Sequence, residues 1–323
     1  MNAVKCKYLH MKKSPIIITS AGAAIAAVII VTTTDTKPTP PSPDHGAPER
    51  IVVTTSNTVE NATILDLTNF TVEEKASVGP CLDDFKLNKL LFTKLPANSA
   101  FVKGSPTNEI GRYSQVNKID FEPMSTNNVD SFSIGVFEVT QKQYELVTGE
   151  PHGNKFVQPD RAKDYVSWND AKLFIDTLNK KLTGYEVDLP TDTQWEYACR
   201  AGTRTPFCDS SITNYNVRVA PGLEKYASYL NGRDANIVRE TVTDFPPVGA
   251  FLPNAWNLYD MHGGVWEWCK DDWTVNGTKG MKTVRGGGYW FNADDCRSAN
   301  RHGYVPTHRN HGFGFRLVLR KVK

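Results

Sequence analysis

The sequence lacks the short signatures of the common hydrolytic and nucleotide-using enzymes. It has no Gly-x-Ser-x-Gly elbow, which removes support for a serine nucleophile of that type. Neither a Walker A loop nor a dinucleotide-binding glycine fingerprint occurs. Cysteine is sparse, with six residues in 323, at positions 6, 81, 199, 208, 269 and 296. Cys81, Cys199 and Cys208 do not have the paired spacing of a zinc site. A dominant charge is missing too: 37 Lys and Arg face 35 Asp and Glu, for a net charge of +2. Lys5, Lys7, Lys12 and Lys13 account for four of the basic residues, leaving 33 against 35 in the rest of the chain. A body so near neutrality has no field to gather a polyanion, so no nucleic-acid partner is expected. What remains is ordinary globular usage, 40% hydrophobic and 22% charged, with 23 Gly, 19 Pro and seven Trp. That composition excludes full disorder, collagen, a coiled coil and a multi-span membrane protein.

One long uncharged run is present, from Ser14 to Thr34. About 20 apolar residues cross a bilayer as a helix, so residues 15–34 are expected to be a transmembrane signal anchor. The basic tail 1–14 would stay cytoplasmic and the rest of the chain would lie outside the cytoplasm, at the cell surface or in the periplasm. A cleaved signal peptide is the alternative. Its small-x-small site, Ala24-Ile25-Ala26, would leave the apolar residues 28–31 on the mature end. Residues 35–50 read as a Pro-rich linker, because five prolines between 36 and 49 favour extended polyproline II. Residues 51–88 form a short module without assigned function, with 51–53 and 62–67 as candidate strands.

From residue 89 onward aromatics, glycines and turn signals are dense. Residues 132–139 alternate as a strand does. Thr140 with Gln143 makes a capping box and Gly149 a stop, which predicts a helix over 141–148. A second helix follows Ser167, with Ala171, Phe174, Ile175 and Leu178 on one face. A third follows Thr191, where Gln194 completes another capping box; Trp195 and Ala198 face the core and Gly202 lies past the end. No long periodic helix follows, so the fold class expected is α+β with much irregular structure. Trp168, Trp195, Trp256, Trp266 and Trp268 read as packing anchors whose indole N–H groups find partners.

Several blocks then come in a recognisable order: Phe137-Glu138-Val139-Thr140, Val166-Ser167-Trp168-Asn169-Asp170-Ala171, Leu189-Pro190-Thr191 and Gln194-Trp195-Glu196-Tyr197-Ala198. After them stand Pro253-Asn254-Ala255-Trp256-Asn257-Leu258-Tyr259-Asp260-Met261-His262-Gly263, Val265-Trp266-Glu267-Trp268, Arg285-Gly286-Gly287, Cys296-Arg297-Ser298-Ala299 and Gly314-Phe315-Arg316. Together they resemble the formylglycine-generating enzyme (sulfatase-modifying factor) family over a domain at 89–321. The resemblance implies a C-type-lectin-like fold. It also implies, for an enzyme, a copper-dependent oxidase that converts a cysteine of a partner sulfatase to formylglycine, with two thiols five residues apart holding Cu(I). Counted from Arg285-Gly286-Gly287, those thiol positions fall on Phe291 and Cys296; counted back from Arg301, Cys296 matches neither. One cysteine cannot supply a two-thiolate site, so catalysis is not expected. Cys296 is the single candidate under the oxidase alternative. Cys269 and Cys296 read either as a disulfide or as two small buried hydrophobes. The resemblance further implies a structural Ca²⁺ held by the Asp260 and Glu267 carboxylates and the Gly263 and Val265 carbonyls. The competing reading is that the two acids only hydrogen-bond their own loop.

Residues 289–316 contain no Lys, Glu, Gln or Met, although Lys279, Lys282, Lys321 and Lys323 flank them. Asn, Asp, His, Tyr, Gly, Val and Phe are all reached by changing only the adenines of an Asn codon. The pattern resembles the variable segment of proteins diversified by a diversity-generating retroelement, many of which share this fold. That resemblance implies a ligand-binding surface over 289–313, made by Tyr289, Phe291, Asn292, Asp294, Asp295, His302, Gly303, Tyr304, Val305, His308, Asn310, His311 and Phe313. Tyr supplies large contact area at low entropy cost, and Asn and Gly supply adaptable polar contacts. The ligand class expected is a protein or a carbohydrate, the latter by stacking on Trp290 or Tyr304. The three histidines have no metal-ligand spacing.

Overall fold

The computed structural model describes residues 58–79, 82–112, 120–151, 157–230, 246–275 and 278–322. The expected anchor, the Pro-rich linker, residues 51–53, Cys6 and Cys81 lie outside the described residues. Among the described residues no helix is long and apolar enough to cross a membrane.

Strands β1 (Val59–Asp66), β2 (Thr71–Val78), β3 (Lys89–Leu95), β6 (Phe132–Gly135), β7 (Tyr185–Asp188) and β14 (Val318–Lys321) make one six-stranded sheet in the order β2-β1-β3-β6-β14-β7, with every pair antiparallel. The stretch 58–88, read from sequence as a module of its own, thus supplies two strands, and β1 pairs directly with β3, which lies past that boundary. A second sheet has the order β12-β11-β10-β13, from Arg301–Tyr304, Lys282–Arg285, Trp266–Asp272 and Phe313–Gly314. Its β10–β13 pair is parallel and the others are antiparallel. Two short ribbons pair β4 (Asn98–Lys103) with β5 (Ser125–Val129) and β8 (Ala227–Ser228) with β9 (His262–Gly263).

The three helices begin where their caps require. α1 (Gln141–Thr148) and α3 (Asp192–Arg200) carry full capping boxes on Thr140–Gln143 and Thr191–Gln194, and α2 (Trp168–Asn179) carries one on Ser167–Asp170. In the α1 box, Gln143 also donates from Nε2 to the Phe85 and Lys89 carbonyls at 2.9 and 2.7 Å, fastening the helix start to the approach of β3. α2 buries Ala171, Phe174, Ile175 and Leu178, the face its periodicity indicated. α3 ends one residue earlier than expected, because Ala201 itself takes the left-handed conformation at φ 44° ahead of Gly202.

The strand expected over 132–139 stops at Gly135. The Gly135 carbonyl accepts from the Arg316 guanidinium at 3.1 Å, and the Val136 carbonyl accepts Tyr259 N–H at 3.0 Å with Arg316 at 3.4 Å, so neither continues the ladder. The main core joins the two sheets through Phe92, Phe174, Trp266, Trp268, Phe313 and Phe315. Each such side chain contributes about 1.5–3 kcal/mol on burial. Buried arginines hold the irregular backbone. Arg285 donates from Nη1 to the Ser298, Ala299 and Asn300 carbonyls at 3.0–3.1 Å, and Arg297 donates from Nη2 to Gly111 O at 2.8 Å. A guanidinium has five donors, so one side chain satisfies several loop carbonyls that no ladder reaches.

Candidate functional site

Segment 286–313 leaves β11 through three glycines and returns to the second sheet as β12 and then β13. Gly287 sits at φ 76°, and a Cβ there would lie 2.6 Å from Cys296 Sγ, so only glycine lets the two backbones meet. The 260–266 turn crosses this segment: Gly263 N–H donates to Gly286 O at 2.6 Å and Tyr289 N–H to Gly264 O at 2.9 Å. The loop expected to hold a cation and the segment expected to bind a ligand are therefore hydrogen-bonded neighbours.

Half-exposed rings collect around Trp266. Phe291 stands edge-on to it at 5.4 Å and His302 at 5.2 Å. Tyr304 and His308 stack at 4.7 Å, and Val305 beside them is 46% exposed. Tyr289 and Trp290 pair at 4.7 Å, and His311 contacts Tyr165, which is held at φ 56° and is 49% exposed. Phe121 and Trp273 flank His302 and Gly303. Tyr165, Phe121 and Trp273 escaped sequence reasoning because they come from loops far from the segment; no local signal marks them.

The proposed binding residues divide by burial. Val305 and Asn310 are exposed, and Phe291, Asn292, His302, Gly303, Tyr304, His308 and His311 are half-buried. Four are not at the surface. Phe313 is 1% exposed and packs between Trp266, Trp268 and Tyr304, while Tyr289, Asp294 and Asp295 are 8%, 9% and 6% exposed. Their burial follows from the segment's path, since β13 must run beneath the rings to pair with β10. Burial, then the Asp295 charge, pushes the Asp294 carboxyl up to about 6. His302 faces Asp295 at 3.7 Å and His311 faces Asp164 at 3.3 Å. Burial lowers the pKa of His308. Among the described residues no three His, Cys, Asp or Glu side chains converge as a metal cage.

Phe291, the first thiol position only on the count from Arg285-Gly286-Gly287, packs its ring against Trp266, and Cys296 is fully buried with its thiol pushed well above the usual range, first by burial and then by Asp295. Cys269 and Cys296 are both free and buried, which corresponds to the small-hydrophobe reading and not to a disulfide. Cys199, also free, has its thiol pushed up to about 12 by burial. His262 links this region: Cys208 N–H donates to its Nε2 at 3.0 Å, so Nδ1 carries the proton toward Cys296 O at 2.7 Å.

In the cation loop Asp260, Gly263 and Gly264 all have positive φ, between 58° and 77°. Glu267 accepts two hydrogen bonds from Arg316 at 2.7 and 2.8 Å and one from Trp195 Nε1 at 2.7 Å. Asp260 Oδ2 accepts Gly249 N–H at 2.6 Å, and burial pushes this carboxyl up to about 6. These partners, Arg316, Trp195 and Gly249, all lie outside the 260–267 loop, unlike the competing reading's bonds within it. The two acids still keep oxygen lone pairs, and a carboxylate-and-carbonyl set of this kind suits a hard cation. Trp266 departs from expectation, because its buried Nε1 has no hydrogen-bond partner, whereas Trp168, Trp195 and Trp268 each find one. Glu138 was quoted only as part of a motif, yet its carboxylate is buried and unpartnered beside this loop. A lone acid inside an otherwise apolar strand pattern was the available signal.

The model of the sulfatase-modifying factor enzyme 1-like domain matches residues 97–321. The chain belongs to this family. It is 31% identical over 171 residues to the formylglycine-generating enzyme of Mus musculus, covering 48% of this chain and 43% of that protein. It is 28% identical over 162 residues to the inactive C-alpha-formylglycine-generating enzyme 2 of Bos taurus, covering 48% of each. The chain therefore spans about half the length of these relatives. Among solved structures, Treponema denticola variable protein 1 superposes with a TM-score of 0.58 at 21% identity, covering 71% of this chain and 95% of that one. The sheet-rich α+β fold is thus that of the sulfatase-modifying factor domain.

Proposed function

We propose that this sulfatase-modifying factor domain is a non-catalytic ligand-binding protein displayed outside the cytoplasm from an N-terminal membrane anchor. The observation that carries the reading is the Phe291 ring against Trp266, at the position one count gives to a thiol, on a surface where His302, Tyr304, Val305, His308 and Asn310 remain open. Rigid rings with adaptable polar neighbours are the composition of a recognition surface. The ligand class is a protein or a carbohydrate, and the half-exposed rings support either by stacking. Likeness in fold to a protein named as variable supports the further reading that 289–313 is diversified by a retroelement. A structural Ca²⁺ on Asp260, Gly263, Val265 and Glu267 would hold the turn whose Gly264 carbonyl accepts Tyr289 N–H.

Binding of the purified chain to glycan and protein arrays tests the central claim. Changing Tyr304 and His308 to Ala should reduce the captured signal at least about tenfold, the scale of a contact worth more than 1 kcal/mol, with circular dichroism unchanged. Full retention of the signal would overturn the assigned surface. Sequencing the locus for a nearby repeat of codons 285–316 that differs only at adenines tests diversification.

The second reading is an oxidase acting on a partner's cysteine, favoured by 31% identity to a formylglycine-generating enzyme. Tight two-thiolate Cu(I) binding in competition with a chromophoric chelator would establish it over the first.

A further inference from the structure

The hairpin of β1 and β2 precedes the matched family domain, and nothing above gives it a task. It holds two of the three Asn-x-Thr triplets in the chain, Asn61-Ala62-Thr63 and Asn69-Phe70-Thr71; the third is Asn276-Gly277-Thr278. Such a triplet is the acceptor pattern for an N-linked glycan when it stands on an accessible loop outside the cytoplasm. The pattern does not choose among the three, but the fold does.

Asn61 is exposed, yet Thr63 is only 8% exposed and is paired on both sides, to Glu74 of β2 and Phe92 of β3. The hydroxyl residue of that triplet is therefore held inside the sheet. Asn276 and Gly277 lie outside the described residues. Asn69 and Thr71, in contrast, are both exposed where the two strands turn. Asn69 Oδ1 accepts the Thr71 N–H at 3.0 Å and the Thr71 hydroxyl at 2.6 Å, so the carboxamide oxygen faces the chain and Nδ2 faces away. Just before it, Asp66 Oδ1 accepts the Thr68 N–H at 2.9 Å and the Thr68 hydroxyl at 2.6 Å. Phe70 sits at φ 58°, its ring packed on the main core with the Lys181 ammonium 4.3 Å from the ring centre. Anchoring Phe70 inward leaves Asn69 at the surface. All four hydrogen bonds join residues two apart, so this turn forms without help from the rest of the sheet, as a nascent chain requires.

We propose that Asn69 is the acceptor of an N-linked oligosaccharide. This rests on the reading above that the body of the chain lies outside the cytoplasm, and not on the identity of its ligand. The donor class is an oligosaccharide carried on a lipid pyrophosphate. Asn69 Nδ2 attacks the anomeric carbon and the C–N bond forms. The C–O bond to the pyrophosphate breaks, the lipid pyrophosphate leaves, and one amide proton passes to a base of the transferase. A hydrated glycan at this turn would also shield β2, an edge strand with no neighbour on its outer side among the described residues.

The test expresses the full chain, with its own N-terminus, in cells whose secretory pathway transfers N-glycans. Protease treatment of intact cells and sealed vesicles reports the side on which the body lies. Mass spectrometry before and after peptide-N-glycosidase reports each asparagine. The expected result is an externally exposed chain that loses mass on glycosidase treatment, with Asn69 deamidated as the trace of a removed glycan. Asn69→Gln and Thr71→Val should each abolish that modification, whereas Thr71→Ser keeps the hydroxyl and should retain it. Asn61→Gln should leave the Asn69 glycan in place. An external chain with Asn69 bare, in cells that glycosylate a secreted reporter, would overturn the proposal and leave the external location standing. Glycan confined to Asn61 or Asn276 would overturn it equally. A body protected on the cytoplasmic side would overturn both readings.

Discussion

Asp294 gives the ligand-facing segment a pH dependence that a surface residue would not have. Its carboxyl titrates near 6 in the folded chain against an ordinary value of 3.8, through burial first and the Asp295 charge second. The folded state therefore binds the proton more tightly than the unfolded one. The associated stability is full below about 4 and is lost as pH rises through about 6. Asp294→Asn keeps the acceptor used by Asp295 N–H at 3.1 Å and removes the ionisation. It should stabilise the chain by about 1–2 kcal/mol at pH 7, a figure discounted for residual solvent screening, and by almost nothing at pH 4. Urea melts at the two pH values measure this, and equal effects at both would contradict the assignment. Sequence reading placed Asp294 among ligand contacts because composition marks a segment as unusual without saying which of its side chains turn inward.

At the scale of elements, the buried arginines do what helices and ladders do elsewhere. Arg297 is fully buried and reaches Glu109 at 2.7 Å, Glu122 at 2.7 and 2.9 Å and the Gly111 carbonyl, so it staples the ligand segment to a loop almost two hundred positions earlier. Arg297→Ala would strand two buried carboxylates. The expected cost is about 3–5 kcal/mol in chemical denaturation, typical of a broken buried pair. Arg297→Met paired with Glu122→Leu should recover part of it, and a loss below about 1 kcal/mol for the single change would show that the staple is dispensable. The helices were legible in advance because their information is local. A Thr or Ser three residues before a Gln or Asp closes a capping box whatever the tertiary context, and the stripe from Ala171 to Leu178 has the period of a helix. The strand end at Gly135 was not legible, since a guanidinium 181 residues away intercepts its carbonyls.

At the scale of the whole molecule, the chain from Thr58 onward forms one compact unit. Because β1 pairs with β3 along Ala62↔Thr93 to Asp66↔Lys89, a chain starting at Thr58 should unfold in one cooperative transition. A chain starting at Lys89 loses β1 and β2 and bares the β3 edge with Leu65's packing partner Phe92. It should aggregate or melt more than about 10 °C lower, as expected when a paired edge strand and its apolar face are removed. Equal melting of the two chains would place the domain boundary at 88 after all.

The sequence alone determined the family, through motif blocks in fixed order, the three helices with their caps, and a segment of peculiar composition between Tyr289 and Arg316. All of these are properties of neighbours along the chain. Only the tertiary structure decided that Phe313, Tyr289, Asp294 and Asp295 turn inward while Tyr304 and His308 stay at the surface, that Cys269 and Cys296 are both free, and that the buried Glu138 carboxylate meets the Gly264 turn without a hydrogen-bond partner. Irregular backbone has no period from which a buried face can be read, and a charge balance is a sum over residues that only folding brings together.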